Sequence, residues 1–406
     1  MRILAVTTKS PLPLNEGRAL RTCNLLRELA SRHEITLCSY VQSEAEVRGL
    51  EQMREFCADV HAVPLYLNFP RAELTRDLVR DLMSDAPILA TKYRQPAMVA
   101  LLRGLISRQK FDVLHLDMLH LGLLMDCANG LPTVLVEHNV ESALLERRIE
   151  RASGPMKAYL RRQLTKLSRF EAQACSDADC VVCVSDNDAT LLRKMSDTVD
   201  TVTVPNAVDV EYFKPFTSQP RPGSLIYVGG LGWFPNLDAI EFFAQDILPR
   251  IAREIPEVVL TVVGQVPDPA LLERFRDYPN IRFAGLVDDI RPFAADAVAY
   301  VVPLRIGGGT RLKILDALSM GKPVITTSIG CEGLRVTHGT DVLVADDAER
   351  FARETVRVLS DAVLASRLGS AGRECVVRDY QWSAAAKLMD VAYERARGLA
   401  HATAEG

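Results

Sequence analysis

The feature that most constrains this chain is an alternation that runs through it twice. Short apolar, β-branched runs stand at Ile3–Thr7, Ile35–Tyr40, Val60–Leu65, Val113–Leu116, Thr133–Glu137, Cys180–Val184 and Thr201–Val204. Helix-length segments such as Ala19–Ser31 and Gln95–Arg108 separate several of them. Strands buried on both faces read as continuous apolar runs, and strands alternating with helices form parallel sheets covered on both sides. The pattern breaks in the Pro/Gly/Ser-rich stretch Lys214–Gly223 and then restarts, with runs at Leu225–Val228, Val258–Val263, Ile281–Phe283, Val298–Val302, Val324–Thr327 and Val342–Val344. A chain of 406 residues also exceeds what one ordinary core supports. The expected fold is therefore α/β, with two doubly wound domains, 1–215 and 216–379, facing one another across a cleft.

Doubly wound sheets bind ligands outside the carboxyl ends of their strands. In the first half those ends carry Thr7–Gly17, Glu137-His138-Asn139 and Ser185-Asp186-Asn187. In the second they carry Gly229–Asn236, Gly264-Gln265 and the stretch Arg305-Ile306-Gly307-Gly308-Gly309-Thr310-Arg311-Leu312-Lys313. The last follows an apolar strand and leads into a helix, with Thr310 placed as its N-cap. Glycines admit a ligand close to the backbone, and the free N–H groups of a first helical turn attract anions. Arg311 and Lys313 sit in that first turn, where the helix dipole disfavours positive charge by roughly 0.3–1 kcal/mol each. An anion arriving between them would remove that penalty. Asp316 lies on the same helix face as Lys313 and either accepts the hydroxyls of a ribose or simply pairs with Lys313. His138 either hydrogen-bonds a substrate or serves the structure.

Several functions are excluded by what the chain lacks. The turn after the first strand, Thr8–Pro13, has no GxGxxG, and Gly309 is followed by Thr310-Arg311 rather than by a Walker lysine. A net charge of −4 gives no pull toward nucleic acid. The nine cysteines are odd in number and scattered, which suits a reducing compartment. Cys180 and Cys183 lie within one strand with no second ligand pair, so they read as buried structural thiols rather than as a metal site. No apolar run reaches the length of a membrane span, and no signal-like h-region follows Met1. A cytoplasmic protein is expected, with peripheral association on the inner face of the cell membrane as the alternative.

These motifs together resemble one family. Gly229-Gly230-Leu231, Gly264, Phe283–Asp289, the glycine loop through Asp316–Ile325 and Gly330–Leu334 resemble the C-terminal half of family-4 glycosyltransferases. Glu16-Gly17-Arg18, His138, Ser185 and Val204–Asp209 with Phe213 and Pro215 resemble the N-terminal half. The resemblance implies a GT-B fold of two Rossmann-like domains, with a C-terminal helix at about 380–398 crossing back to the first. It implies an acceptor domain using Gly17 and Arg18, and a donor domain binding a nucleotide sugar through Gly230, Gly264, Gly307, Gly308, Gly309, Thr310 and Asp316. Transfer would retain anomeric configuration, with His138, Arg311 and Lys313 as the catalytic groups and no metal or other cofactor. The Gly-Gly-Gly-Thr-Arg-Leu-Lys form is similar to a branch associated with bacterial exopolysaccharide assembly, which implies a glycan or lipid-linked acceptor.

This chain departs from the family pattern twice. Gly308 stands where the first of two spaced acids usually lies. The loop Gly229–Asn236 lacks the Arg and Lys that usually balance the diphosphate, so Arg311 and Lys313 are expected to supply that charge. The missing acid keeps a non-catalytic scaffold as a second reading, and a nucleotide-sugar epimerase as a third. Residues 147–169 carry Arg147, Arg148, Arg151, Lys157, Arg161, Arg162, Lys166 and Arg169 interleaved with Leu160, Leu164 and Leu167. That segment is either a solvated helix face or a peripheral contact with anionic lipid.

Overall fold

The computed structural model describes residues 1–14, 17–65, 84, 86–150, 152–307 and 312–404, with side chains to residue 398. The chain forms two compact units, Met1–Pro205 with Trp382–Gly406, and Asn206–Gln381. Each is a parallel sheet covered by helices, as the alternation of the sequence predicts.

The first unit holds β1 (Arg2–Thr7), β2 (Glu34–Val41), β3 (Asp59–Pro64), β4 (Val113–Asp117), β5 (Thr133–Glu137), β6 (Cys180–Cys183) and β7 (Thr201–Thr203). They lie in the order β3-β2-β1-β4-β5-β6-β7, every pair parallel. The chain winds outward from β1 to β3 and returns to place β4 against the other side of β1. The strand order therefore reverses between β1 and β4, the point where such sheets open a crevice at their carboxyl ends. The interior strands are buried on both faces; Leu4, Ala5, Val6, Leu114, Leu116 and Val181 are all at zero exposure.

The helix Trp382–Ala404 belongs to this unit although it follows the second in sequence. Its buried stripe, Met389, Ala392, Tyr393 and Ala396, follows the helical repeat and is fully covered. Burying side chains the size of Met389 and Tyr393 contributes about 1.5–3 kcal/mol each. Direction comes from polar contacts. Asp390 accepts from Arg32 at 2.8 Å and lies 2.7 Å from His33 Nε2, while the Tyr393 hydroxyl meets His115 Nδ1 at 2.8 Å.

The second unit repeats the winding. Its strands are β8 (Ser224–Val228), β9 (Val259–Val263), β10 (Ile281–Gly285), β11 (Ala299–Val302), β12 (Val324–Thr326) and β13 (Leu343–Val344). Their order is β10-β9-β8-β11-β12-β13, again all parallel, so the reversal falls between β8 and β11. The unit begins at Asn206, upstream of the Pro-rich stretch, because the intervening segment is bonded into it. Val208 N–H donates to the Tyr380 carbonyl at 2.9 Å, and the Ser319 hydroxyl donates to the Phe213 carbonyl at 2.7 Å.

Candidate functional site

In the second unit the loops at the β8/β11 reversal converge on one ammonium group. Lys313 is the second residue of the helix Leu312–Ser319, and its Nζ donates to the Tyr227 hydroxyl at 3.1 Å and to Asn236 Oδ1 at 3.0 Å. It also lies 4.4 Å from the centre of the Tyr227 ring, within reach of the ring's negative face. Asn236 is fixed in turn, donating to the Gly230 carbonyl at 2.8 Å and accepting from the Tyr227 hydroxyl at 2.6 Å. The amide and the phenol thus hold Lys313 under the loop that follows β8. A side chain at Gly229 would bring its first carbon to 2.7 Å from that ammonium, so the backbone must stay bare for Lys313 to reach the loop.

Gly264 closes the neighbouring loop after β9. Its φ is +150°, and a first side-chain carbon there would stand 2.5 Å from the Gly229 carbonyl. Only glycine fits. Gly307, at the end of the loop after β11, has the same φ of +150° and is buried. Gly308, Gly309, Thr310 and Arg311 lie outside the described residues. Arg305, at the start of that loop, forms an ion pair with Asp238 at 2.8 Å and packs over the Phe242 ring at 4.4 Å.

Asp316 lies one turn further along the helix than Lys313. Lys313 bonds Tyr227 and Asn236, and Asp316 is an acid held by burial, which pushes its carboxyl up to about 7. Its charge is felt by Tyr300 on β11, whose fully buried hydroxyl has no hydrogen-bond partner and whose phenol is pushed well above its ordinary range, by burial first and then by Asp316.

In the first unit the reversal between β1 and β4 carries a second constellation. His138 follows β5, and its Nε2 lies 2.6 Å from Asp117 Oδ1 at the end of β4. Thr22 donates to the other carboxylate oxygen at 2.5 Å. Burial alone would raise Asp117, but the His138 ring, its hydrogen bond, His115 and the Thr22 hydroxyl outweigh it and hold the carboxyl well below the usual range. His115, fully buried on the same strand, is pushed down to about 4, chiefly by desolvation. The chain then turns sharply, with Met118 at φ 128°, a conformation that strains any residue with a side chain. Met118 faces Arg18, whose Nη1 donates to the Thr8 hydroxyl at 3.2 Å and sits 3.6 Å from the Met118 sulfur. Gly17 opens the helix Gly17–Ala30 that carries both Arg18 and Thr22.

Each unit thus gathers its own share of the residues singled out from the sequence: Gly17, Arg18 and His138 in the first, Gly230, Gly264, Gly307, Lys313 and Asp316 in the second. Asp117, Thr22 and Tyr227 were not among them. Asp117 could have been found, because it is the first polar residue past an apolar strand run. Cys180 and Cys183 are both fully buried, as their place in one strand predicts.

The basic segment divides. Arg148, Arg161, Arg162 and Arg169 are exposed, but Lys166 is buried with Leu160, Gln163 and Leu167 on the inner face of the helix Gly154–Asp177, and Arg151 lies outside the described residues. Among the described residues no cluster of three or more His, Cys, Asp or Glu side chains is placed to hold a metal ion. No described helix is long and apolar enough to cross a membrane.

Comparison with known proteins bears on both units. Residues 17–212 match the family described as Glycosyltransferase Family 4, and residues 222–361 match Glycosyl transferases group 1. A 44.6 kDa protein in the cps region of Klebsiella pneumoniae is 21% identical over 371 residues, covering 87% of this chain and 90% of its own length. Among solved structures, sucrose-phosphate synthase from Thermosynechococcus elongatus superposes with a TM-score of 0.71 at 20% identity, over 97% of this chain and 98% of its own. HepE from Anabaena, in complex with UDP, superposes at 0.66 with 14% identity, over 96% and 99%.

Proposed function

The chain belongs to the family-4 glycosyltransferases with the GT-B fold, and we propose that it moves a sugar from a nucleotide-sugar donor to a glycan or lipid-linked acceptor with retention of configuration and without a metal. The observation that carries this reading is the seating of Lys313 beneath Gly229 and Gly230 by Tyr227 and Asn236. Glycosyl transfer needs preorganised positive charge where a diphosphate departs. The Gly229–Asn236 loop carries no cation of its own, and Lys313 brings one to it from another element.

The donor diphosphate lies on the glycine loops after β8, β9 and β11, with Lys313 opposing its charge and Arg311 as a second cation. Asp316 takes the ribose hydroxyls. As the bond from the sugar's anomeric carbon to the diphosphate oxygen breaks, its electron pair stays with that oxygen. The acceptor hydroxyl forms the new bond on the same face, and its proton passes to the departing diphosphate. Lys313 acts on charge that grows through this step, which is where electrostatic stabilisation accelerates a reaction. His138, with its ring anchored by Asp117, holds a hydroxyl of the transferred sugar. Gly17 and Arg18 contact the acceptor. The work falls within cell-surface polysaccharide or glycoconjugate synthesis.

A thermal-shift screen over UDP-, GDP-, ADP- and dTDP-sugars tests the reading, because a ligand that binds only the folded chain raises its midpoint in proportion to affinity. One nucleotide sugar raising the midpoint, and being slowly hydrolysed without acceptor, is the expected result. A shift without hydrolysis or transfer to any glycan would instead support the non-catalytic scaffold.

A further inference from the structure

The chain is fastened at two points on its way from β11 to Lys313. Arg305 stands just past the end of β11, and its guanidinium grips one carboxylate with two bonds, Nε to Asp238 Oδ2 at 3.1 Å and Nη2 to Asp238 Oδ1 at 2.8 Å. The guanidinium also lies 4.4 Å from the centre of the Phe242 ring. Asp238 and Phe242 are one turn apart on the helix Phe234–Phe242, so Arg305 lies along one face of it. Asn236, which holds Lys313 and the Gly230 carbonyl, stands two residues before Asp238, about 200° round the same helix. A single short helix therefore holds both the start of the loop after β11 and the cation beyond it.

The same stretch is tied to β12. The Thr327 hydroxyl, just past that strand, donates to the Leu304 carbonyl and accepts from Gly330 N–H at 2.9 Å. Leu304 is buried, and the Asp238 side chain is only 9% exposed against 41% for Arg305. A carboxylate taken so far out of water is a weak source of stability, since apolar side chains of similar size often serve as well. What a two-pronged guanidinium adds is direction, which a lysine does not supply. Direction matters at this point because Gly307, two residues on, is buried with φ at +150°, so any displacement of Arg305 is passed to the glycine loop.

We propose that Asp238, acting through Arg305, is a positioning residue for transfer: the pair sets the loop after β11 so that its glycine backbone and Lys313 meet the departing diphosphate together. Neither side chain touches the donor. The proposal rests on the transferase reading, since it names a role in that step. A displacement of about 1 Å among reacting groups costs on the order of a hundredfold in rate.

The test is hydrolysis, without acceptor, of the nucleotide sugar that raises the melting midpoint in a screen over UDP-, GDP-, ADP- and dTDP-sugars. It compares the wild-type chain with Asp238→Asn, Arg305→Lys, the double variant and Phe242→Leu. Asp238→Asn and Arg305→Lys should each lower kcat by about ten- to a hundredfold, with KM within about threefold of the parent. The double variant should be no slower than the slower single, because the two side chains act as one unit. Phe242→Leu leaves both charges paired and keeps an apolar side chain in place; it should lower kcat by about two- to fivefold, the worth of the lost cation–ring contact. A pair that serves stability alone would lower the midpoint and leave the kcat of the folded chain unchanged, which overturns the proposal. A double variant whose loss is the product of the two single losses overturns it as well. If the charge variants do not fold, an unchanged kcat in Phe242→Leu overturns it by itself. Wild-type hydrolysis that none of the substitutions alters removes the pair's role and leaves the transferase reading standing. A wild-type chain that hydrolyses none of these sugars contradicts that reading, and the pair's role falls with it.

Discussion

His138 Nε2 stands 2.6 Å from Asp117 Oδ1, and Asp117 is the carboxylate whose other oxygen accepts from Thr22. The imidazole is therefore tethered by a buried acid that is itself anchored by a helix, which fixes the ring and leaves Nδ1 as the nitrogen not engaged by Asp117. Replacing Asp117 by Asn keeps the shape and removes the charge. The expected result is a fall in kcat of about ten- to a hundredfold with little change in donor affinity, because an orienting partner has been weakened rather than a binding contact. Steady-state kinetics with the donor varied would check it; a change in KM alone would contradict the orienting role.

Stability should depend on pH through two opposed contributions that act in the same window, between about 4 and 7. Asp316 and Glu141 are both pushed up to about 7, so the folded chain retains protons that the unfolded chain releases near 4. Their contribution is intact below the ordinary carboxylate range and is lost as pH rises through about 7. His115, pushed down to about 4, works the other way: its contribution is present above its ordinary 6.5 and is lost as pH falls through about 4. Denaturant melts between pH 4 and 8 should show Asp316→Asn lessening the loss of stability with rising pH and His115→Asn steepening it. An unchanged slope in both variants would show that these groups do not titrate as their burial requires.

Gly264→Ala should destabilise the second unit by about 1–3 kcal/mol, because the new methyl meets the Gly229 carbonyl at 2.5 Å from a backbone with φ at +150°. Donor affinity should fall with it, since the two loops that flank Lys313 must move apart. A melt of the full chain with and without donor reads both effects.

Transfer should proceed in excess EDTA at an undiminished rate, and proton NMR of the product should show the anomeric configuration of the donor. Loss of activity on chelation, restored by a divalent cation, would contradict the metal-free account; an inverted product would contradict front-face transfer.

Much of the fold was legible because a strand buried on both faces leaves an apolar run in the sequence, and every such run became a strand. The site was legible where chemistry concentrates at strand ends, as at His138, Gly230, Gly264 and Lys313. What stayed hidden depends on separations the sequence does not display. Lys313 finds Tyr227 and Asn236 on elements far upstream, so its neighbours could not be read from its own helix. Lys92 and His120 belong to no motif, and each packs against the ring of Tyr93. Lys166 counted toward a basic face until the packing of its helix turned it inward. The start of the second unit at Asn206 is set by the Val208 and Phe213 backbone bonds, whereas the sequence marks only the prolines that follow.

The central claim is that Lys313 supplies the charge that the Gly229–Asn236 loop lacks. Its most direct test is the single-turnover rate of Lys313→Ala with the donor identified by thermal shift. A fall of about a hundred- to a thousandfold, with the melting midpoint within a few degrees of the parent, is the predicted result. Equal rates in the two proteins would contradict it.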